Sequence, residues 1–372
     1  MRFSVQRQPF LSELALVTRA AATRSAIPAL GGVMLKGSGD TLELAATDTE
    51  IALRSSMPAE IEQEGALLLP ARLLLDIVRV ADGDTVTIEA ATDQGVVKVT
   101  SQRASFALRT LQADDFPKLP SDDPGAAVRL DATALAATID RVAKAASRDE
   151  TRPVLTGILV SLEGATLRMV ATDSYRLSVK ESAVPSANGS AFEANVPARA
   201  LQELGRVIAE TQPETVAIVT KDNQVVFESG RVTLSSRLID GQFPNYRQLL
   251  PESYEHDVVI DKGELLGVVR RVSLMAQRNA PLRLRFDDGA LTLSAQTPDV
   301  GEASESVPVN YQGEQLEIGF NPQFLQDGLE SVGASEVRLK LISPLRPGLI
   351  EGAGSEEDDQ FLYLIMPVRL NV

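Results

Sequence analysis

Val170-Ala171-Thr172-Asp173-Ser174-Tyr175-Arg176-Leu177 is the middle one of three related stretches. Ala45-Ala46-Thr47-Asp48-Thr49-Glu50-Ile51-Ala52 precedes it, and a degraded version, Ser294-Ala295-Gln296-Thr297-Pro298-Asp299, follows. Asp48 and Asp173 lie 125 positions apart, and so do Thr172 and Thr297. A constant offset of this size marks an internal repeat, so the 372 residues read as one unit written three times. Three domains are therefore expected, over 1–120, 127–251 and 257–372, each long enough to bury a core. The junctions Leu119 to Ala126 and Leu250 to Asp257 are rich in Pro, Ser and acidic residues, which suits linkers.

Each unit reads in the same order. In the first, a strand at Arg2 to Gln6 leads into a helix over Pro9 to Ala22, with Phe10, Leu14, Val17 and Ala21 on one face. Short strands follow at Val33 to Lys36, Thr41 to Leu44 and Glu50 to Arg54, the first two joined by a turn at Ser38-Gly39-Asp40. A second helix runs from Ala71 to Val80, and three more strands centre on Val86, Val97 and Phe106. The second unit repeats the pattern with helices at Ala132 to Ala146 and Ala198 to Ile208, the third with Lys262 to Gln277 and Pro322 to Val332. The last strand is Phe361 to Met366. Runs of short strands favour antiparallel sheets, so the class is α+β, each unit pairing two sheets with two helices.

Composition narrows the function. There is no cysteine, which excludes disulfides, thiolate metal sites and cysteine nucleophiles and points to a reducing compartment. No apolar run is long enough to span a membrane and the N-terminus lacks a signal core, so a soluble cytoplasmic protein is expected. Net charge is −15, yet the six helical segments together carry +3. The cations Arg141, Lys144, Arg270 and Arg271 lie on the first helices of their units. Either they simply complement helix C-termini, or they form a mildly basic face suited to loose, sequence-independent phosphate contact.

Catalytic patterns are missing. No nucleophile elbow, phosphate loop, His/Cys metal spacing or dinucleotide-binding glycine pattern occurs, so no enzyme activity, metal or cofactor is expected. The lone His256 reads as a solvated linker residue. Glu356-Glu357-Asp358-Asp359 reads as an acidic hairpin loop. Asp48 and Asp173, at equivalent places, are expected to make the same turn twice, each carboxylate holding backbone N–H groups. Ser174-Tyr175-Arg176-Leu177 replaces Thr49-Glu50-Ile51-Ala52 of the first unit. Tyr and Arg are enriched at interface hot spots, which suggests a peptide anchor; a strand with Tyr and Leu in its core fits equally.

The whole chain resembles the β subunit of bacterial DNA polymerase III, the sliding-clamp family. The resemblance rests on Thr172-Asp173 with Arg176-Leu177, Val196-Pro197, Leu238-Ile239-Asp240-Gly241-Gln242-Phe243-Pro244-Asn245-Tyr246-Arg247, Ile318-Gly319-Phe320-Asn321 and Met366-Pro367-Val368-Arg369-Leu370, in that order. It implies a head-to-tail homodimer ring of six similar domains, with helices lining the hole, sheets forming the rim, and double-stranded DNA passing through without base contacts. It implies a non-catalytic processivity factor that tethers the polymerase III alpha subunit, the clamp-loader delta subunit and other factors through short peptides. The implied cleft comprises Leu155, Thr172, Ser174, Tyr175, Arg176, Leu177, Pro244, Leu249, Asn321, Phe324, Leu345, Leu364, Ile365, Met366, Pro367, Val368 and Arg369. Gln248 stands where the family pattern has Arg, and Asn371-Val372 extends past the usual end. Arg24 and Arg148 match the family's DNA-facing region, whereas Asp149 replaces a DNA-contacting Gln. The dimer contact would set Phe106 and Leu108 against Leu274, with Arg103 opposite Glu302 and Glu305. The alternative is a repeat scaffold that binds partner proteins without encircling DNA.

Overall fold

The structure, a computed structural model, describes residues 1–90, 95–120, 127–184, 191–276, 280–354 and 360–370. The first repeat runs β1 (Arg2–Gln6), α1 (Arg7–Val17), β2 (Gly32–Ser38), β3 (Thr41–Thr47), β4 (Ile51–Pro58), β5 (Glu60–Gln63), β6 (Gly65–Pro70), α2 (Ala71–Val80), β7 (Thr85–Ala90), β8 (Val96–Ser101) and β9 (Ala104–Arg109). The second runs β10 (Val128–Asp131), α3 (Ala132–Ala143), β11 (Gly157–Glu163), β12 (Thr166–Thr172), β13 (Arg176–Ala183), β14 (Phe192–Pro197), α4 (Ala198–Thr211), β15 (Thr215–Lys221), β16 (Gln224–Ser229) and β17 (Val232–Arg237). The third runs β18 (His256–Asp261), α5 (Lys262–Val272), β19 (Leu282–Asp287), β20 (Ala290–Thr297), β21 (Gly301–Pro308), β22 (Leu316–Phe320), α6 (Pro322–Ser331), β23 (Glu336–Leu341), β24 (Gly348–Ala353) and β25 (Phe361–Ile365).

Backbone conformation repeats with the same period as the sequence. Gly39, Gly164 and Gly289 turn the β2–β3, β11–β12 and β19–β20 hairpins at φ 59, 60 and 73°. Thr49, Ser174 and Asp299 share a second left-handed position, at 81, 80 and 63°. A side chain with a Cβ is strained there unless local bonds hold the turn. In the first two copies they do. Thr47 Oγ1 donates to Ile51 O at 2.8 Å, and Thr172 Oγ1 to Arg176 O at 2.6 Å. Asp48 Oδ1 accepts from the N–H groups of Glu50 and Ile51, and Asp173 Oδ1 from those of Tyr175 and Arg176. The expected Asp turns are therefore present. In the third copy Pro298 replaces the Asp, and Thr297 Oγ1 donates to Met275 O instead.

Several element limits differ from the periodicity. The first helix starts at Arg7 and ends at Val17, followed by a 3-10 turn over Thr18–Ala20, so Ala21 is not on its buried face. The third unit's first helix likewise ends at Val272 with a 3-10 turn at Ser273–Met275. Gln277, Arg278, the acidic run Glu356 to Asp359 and Asn371-Val372 lie outside the described residues. His256 is not a free linker residue. It opens β18, and its Nδ1 lies 2.9 Å from Tyr311 Oη, because the strand begins before the acidic run has ended. β5 and β6 were not foreseen; their short sequences carry little alternation.

The repeats do not keep their sheets to themselves. Among the described residues, every repeat supplies two half-sheets. One is built from its first and last three strands, the other from its middle strands. The second repeat's β10-β15-β16-β17 continues into the first repeat's β4-β3-β2-β6. The third repeat's β18-β23-β24-β25 likewise continues into β13-β12-β11-β14. The joins are antiparallel ladders, Ile51 to Ser55 against Ser236 to Val232, and Arg176 to Lys180 against Ile365 to Phe361. The remaining halves form β5-β1-β7-β8-β9 and β21-β20-β19-β22. Two compact units result, Met1–Thr133 with Glu203–Leu238, and Ala134–Gln202 with Ile239–Val372.

Side chains reinforce each join. In the first unit Glu13 of α1, buried, accepts from Ser55 Oγ at 2.6 Å and Arg231 Nε at 2.7 Å. A carboxylate out of water needs such partners. Arg19 lies 2.6 Å from Glu203 of α4 and donates from Nη2 to Glu210 at 3.0 Å. In the second unit Lys144 Nζ reaches Glu330 of α6 at 3.4 Å. α6 is capped by Asn321, whose side chain accepts from the N–H groups of Gln323 and Phe324, with Pro322 at its first position. It packs on β25 through Gly328, where a Cβ would meet the ring of fully buried Tyr363 at 2.6 Å. Gly328→Ala is therefore expected to destabilise the second unit by about 1–3 kcal/mol, measured as a shift in the thermal or denaturant midpoint.

Candidate functional site

The residues implied for the cleft all fall in the second unit, at one end of its eight-stranded sheet. Strand direction explains the gathering. β11 begins there at Gly157, just after Leu155; β12 ends there at Thr172; β13 begins at Arg176. β25 ends there at Ile365, opposite both Arg176 and Gly348. Met366 N–H then donates to Tyr175 O at 2.8 Å, and Val368 N–H to Gly319 O at 2.8 Å. The β23–β24 loop carries Leu345 to the same end, and the 3-10 turn Tyr246–Leu249 carries Leu249.

The tripeptide Tyr175-Arg176-Leu177 divides into three roles. Tyr175 is 61% exposed. Leu177 is 1% exposed and belongs to an apolar cluster with Leu159, Val170, Val179, Phe243, Tyr246, Leu349 and Leu364. So Leu177 and Leu364 are beneath the surface rather than on it. The exposed apolar side chains at this end are Tyr175, Leu249, Leu345 and Met366, the last at 39%. Phe324, Pro367 and Val368 are half-buried, and Leu155, Thr172 and Ile365 are buried. Pro244, Ser174 and Arg369 are exposed.

Arg176 is engaged on every side. Its Nε donates to Asp173 Oδ2 at 3.0 Å, and its Nη1 pairs with Asp327 of α6. Nη1 also lies 3.4 Å from Tyr363 Oη, and the guanidinium sits 4.3 Å from the centroid of the Phe324 ring. Tyr363 Oη in turn donates to Phe324 O at 2.9 Å. Burial works to lower the Arg176 pKa, but Tyr363, Asp327 and Asp173 outweigh it and the net shift is upward. Burial raises the Tyr363 pKa, against the opposing pull of Arg176. The group is thus a guanidinium held between two carboxylates, tying the β12–β13 turn to α6 and fixing the Phe324 ring. Sequence reasoning missed Asp327 and Tyr363. A signal was available for the first, since Asp327 lies one helical turn beyond Phe324.

The cations named for DNA contact separate in the same way. Arg24 and Arg148 are exposed and have no ion pair among the described residues. Arg141 is half-buried. Lys144 and Arg270 both pair with Glu330, and Arg271 pairs with Glu305 of β21 at 2.6 Å. Arg271, expected on the DNA face, and Glu305, expected in the dimer contact, meet each other. Of the dimer residues, Leu108 is buried in its own sheet, Phe106 is half-buried, and Arg103, Glu302 and Leu274 are exposed.

Two measurements follow. Leu177→Ala is expected to cost about 2–4 kcal/mol of stability, whereas Met366→Ala leaves the unfolding midpoint almost unchanged. The second concerns Glu330. Burial pushes its pKa up, but hydrogen bonds from Gln326, Arg270 and Lys144 prevail and hold it below the ordinary 4.5. A lowered folded pKa contributes stability above the unfolded value and loses it as pH falls through the folded one. Glu330→Gln should therefore flatten the acid limb of the stability–pH curve below 4.5 while lowering stability at neutral pH.

Comparison with known proteins adds the following. Models of the DNA polymerase III beta subunit match the chain in three consecutive parts: the N-terminal domain over residues 1–120, the central domain over 129–245 and the C-terminal domain over 247–369. The beta sliding clamp of Streptomyces coelicolor is 34% identical over 378 residues, covering all of both chains. The solved sliding clamp of Bacillus subtilis superposes with a TM-score of 0.94 at 30% identity, covering all of both chains. A Pseudomonas aeruginosa clamp solved bound to griselimycin gives 0.92 at 32%, again over all of both chains.

Proposed function

Because the chain belongs to the DNA polymerase III beta subunit family, we infer that it is a DNA sliding clamp, a non-catalytic subunit that surrounds duplex DNA and holds a polymerase on it. One observation carries the ring. Each internal join pairs the last strand of one repeat with the fourth-strand position of the repeat before it, β17 with β4 and β25 with β13. That leaves β9 of the first repeat and β21 of the third as edge strands of matching kinds. An unpaired edge is a template for another strand. Head-to-tail pairing of β9 with β21 of a second copy repeats the internal join and closes when the circuit returns to the first copy.

The internal joins also give a register. Ser55 faces Val232 and Ile51 faces Ser236. Carried along the repeat, with the turn before β21 one residue shorter than that before β4, Ser304 would face Ala104 and Gly301 would face Ala107 of the second copy. Arg103 then comes beside Glu305 as Arg231 comes beside Ser55 and Glu13, which supports the Arg103–Glu305 pairing. The homodimer, like the three-domain limits 1–120, 127–251 and 257–372, is our reading. So are the specific partners, the polymerase III alpha subunit and the clamp-loader delta subunit, and a cytoplasmic location; no helix among the described residues is long and apolar enough to cross a membrane.

Exposed Tyr175, Leu249, Leu345 and Met366 give the peptide cleft its apolar surface, over the buried Leu177 cluster. Such a groove takes Leu and Phe side chains of an extended peptide. Arg176 shapes this surface from behind, while exposed Arg369 is free to orient peptide polar groups. On the DNA side, Arg24 and Arg148 are the available cations. Lys144, Arg270 and Arg271 meet phosphate only by sharing or exchanging their carboxylates. The weak positive charge of the helical segments, +3 against −15 for the whole chain, suits sliding, since tight phosphate contact would hold the ring in place. A scaffold that binds partners without DNA is not favoured by relatives that are sliding clamps over their full length.

Loaded on nicked circular DNA, the protein should stay on the circle through gel filtration and run off once the circle is linearised. Equal retention on both forms would overturn the topological reading. Tyr175→Ala with Met366→Ala should weaken binding of a Leu/Phe-containing clamp peptide about tenfold or more and leave the oligomeric state unchanged. Unaltered peptide affinity would reject this cleft.

A further inference from the structure

The two internal joins are built alike, and their ladders match residue by residue. Ser235 faces Ala52 in the first unit as Leu364 faces Leu177 in the second. Val226 faces Ser235 as Leu349 faces Leu364. Val219 faces Val226 as Lys340 faces Leu349. Counting on by two, Glu228 matches Glu351 and Arg237 matches Met366. In the second unit this sheet face is filled. Leu177, Leu349 and Leu364 belong to the buried apolar cluster, Lys340 pairs with Glu351 at 2.5 Å, and Tyr254 lies over Lys340. The first unit has Ala52, Val226, Ser235 and Val219 at the places of those three leucines and the lysine, and each is smaller.

A cavity of about 460 Å³ opens on this face of the first unit. Its lining falls into three rows across the strands. Gln224 faces Lys221 on one side and Arg237 on the other in the first row. Val219 and Val226 form the second, and Pro120 adds a further apolar wall. Glu228 stands in the third. Side chains two apart along a strand share a face, so the rows lie about 7 Å apart and the first is about 13 Å from the third. Asp222, in the turn after Lys221, also lines the cavity, so two cations and one anion leave that end positive. Glu228 is half-buried and, unlike Glu351, has no cation partner among the described residues. A carboxylate partly withdrawn from water is stabilised by a cation brought to it.

We propose that this cavity is a second peptide site, for an extended segment of a partner protein that carries a basic, an apolar and an acidic residue at alternate positions. The basic residue pairs with Glu228, as Lys340 pairs with Glu351. The apolar one covers Val219 and Val226, and the acidic one meets Arg237 beside Lys221. An extended segment presents every second side chain to one face, at the spacing of the rows. The two joins then select different peptides, because an acidic side chain that Arg237 attracts gains nothing from Met366. The site stands on its own lining and does not depend on the ring or on DNA.

The capped pentapeptide Lys-Ser-Leu-Ser-Glu, titrated into the full-length protein with its valine methyls labelled for NMR, tests this. The Val219 and Val226 resonances should shift and saturate. Val219→Lys gives Glu228 the partner that Glu351 has, and should weaken this peptide about tenfold. Arg237→Glu should weaken it about fivefold and make Lys-Ser-Leu-Ser-Lys the better ligand. Both variants should bind a Leu/Phe-containing clamp peptide as the wild type does, since that cleft lies in the other unit. Val226 methyls that do not move, or a Lys-Ser-Leu-Ser-Glu affinity that ignores both Val219→Lys and Arg237→Glu, would overturn the site whatever the Leu/Phe peptide does.

Discussion

A strand at the edge of a sheet has one row of backbone N–H and C=O groups without protein partners, and the architecture here follows from where those rows are answered. Each repeat ends its two half-sheets on strands that face its neighbours. Pairing β4 with β17 and β13 with β25 satisfies these rows within the chain, and the contacts of buried Glu13, half-buried Arg19 and buried Glu203 lie in the unit that holds the first of these joins. The joins fix which strands are paired within the chain and leave two different strands, β9 and β21, at sheet edges.

On the reading proposed above, the turn at Thr172 to Arg176 puts a structural device to use in binding. Its backbone is the same as in the first repeat, down to the positive φ of Ser174 and Thr49. Asp173 holds both the turn's N–H groups and the Arg176 side chain, so the acid that makes the turn also anchors the guanidinium. With Asp327 and Tyr363 behind it, the loop presents Tyr175 outward and Leu177 inward without loss of local rigidity. A cleft wall built on such a turn is preorganised, which reduces the ordering cost that a bound peptide would otherwise have to offset.

Much of the fold was legible in the residues. The 125-residue offset, the helix faces of Phe10, Leu14 and Val17, the Gly39 hairpin and the Asp turns are all local patterns, and local patterns leave periodic traces. Sharing of sheets between repeats left none, because β4 and β17 are joined across nearly two hundred positions by backbone groups that every residue has. The site was legible in part. Tyr175 and Met366 are exposed at one end of the sheet, but Leu177 is core, and Arg176 is committed to Asp327, which is 151 positions away. No spacing rule links a strand to a helix at that distance. The helix cations were countable, but their engagement with Glu330 and Glu305 depends on tertiary placement.

The two compact units do not coincide with the three copies of the sequence. Their boundary runs through the second repeat, taking Glu203–Leu238 to one side and Ala134–Gln202 to the other. The piece of sequence that was copied and the piece of chain that packs together are therefore out of phase. Heredity in this molecule is counted in threes and cohesion in twos. A fragment cut at a repeat boundary would sever an eight-stranded sheet, whereas the middle repeat, split between both units, belongs wholly to neither.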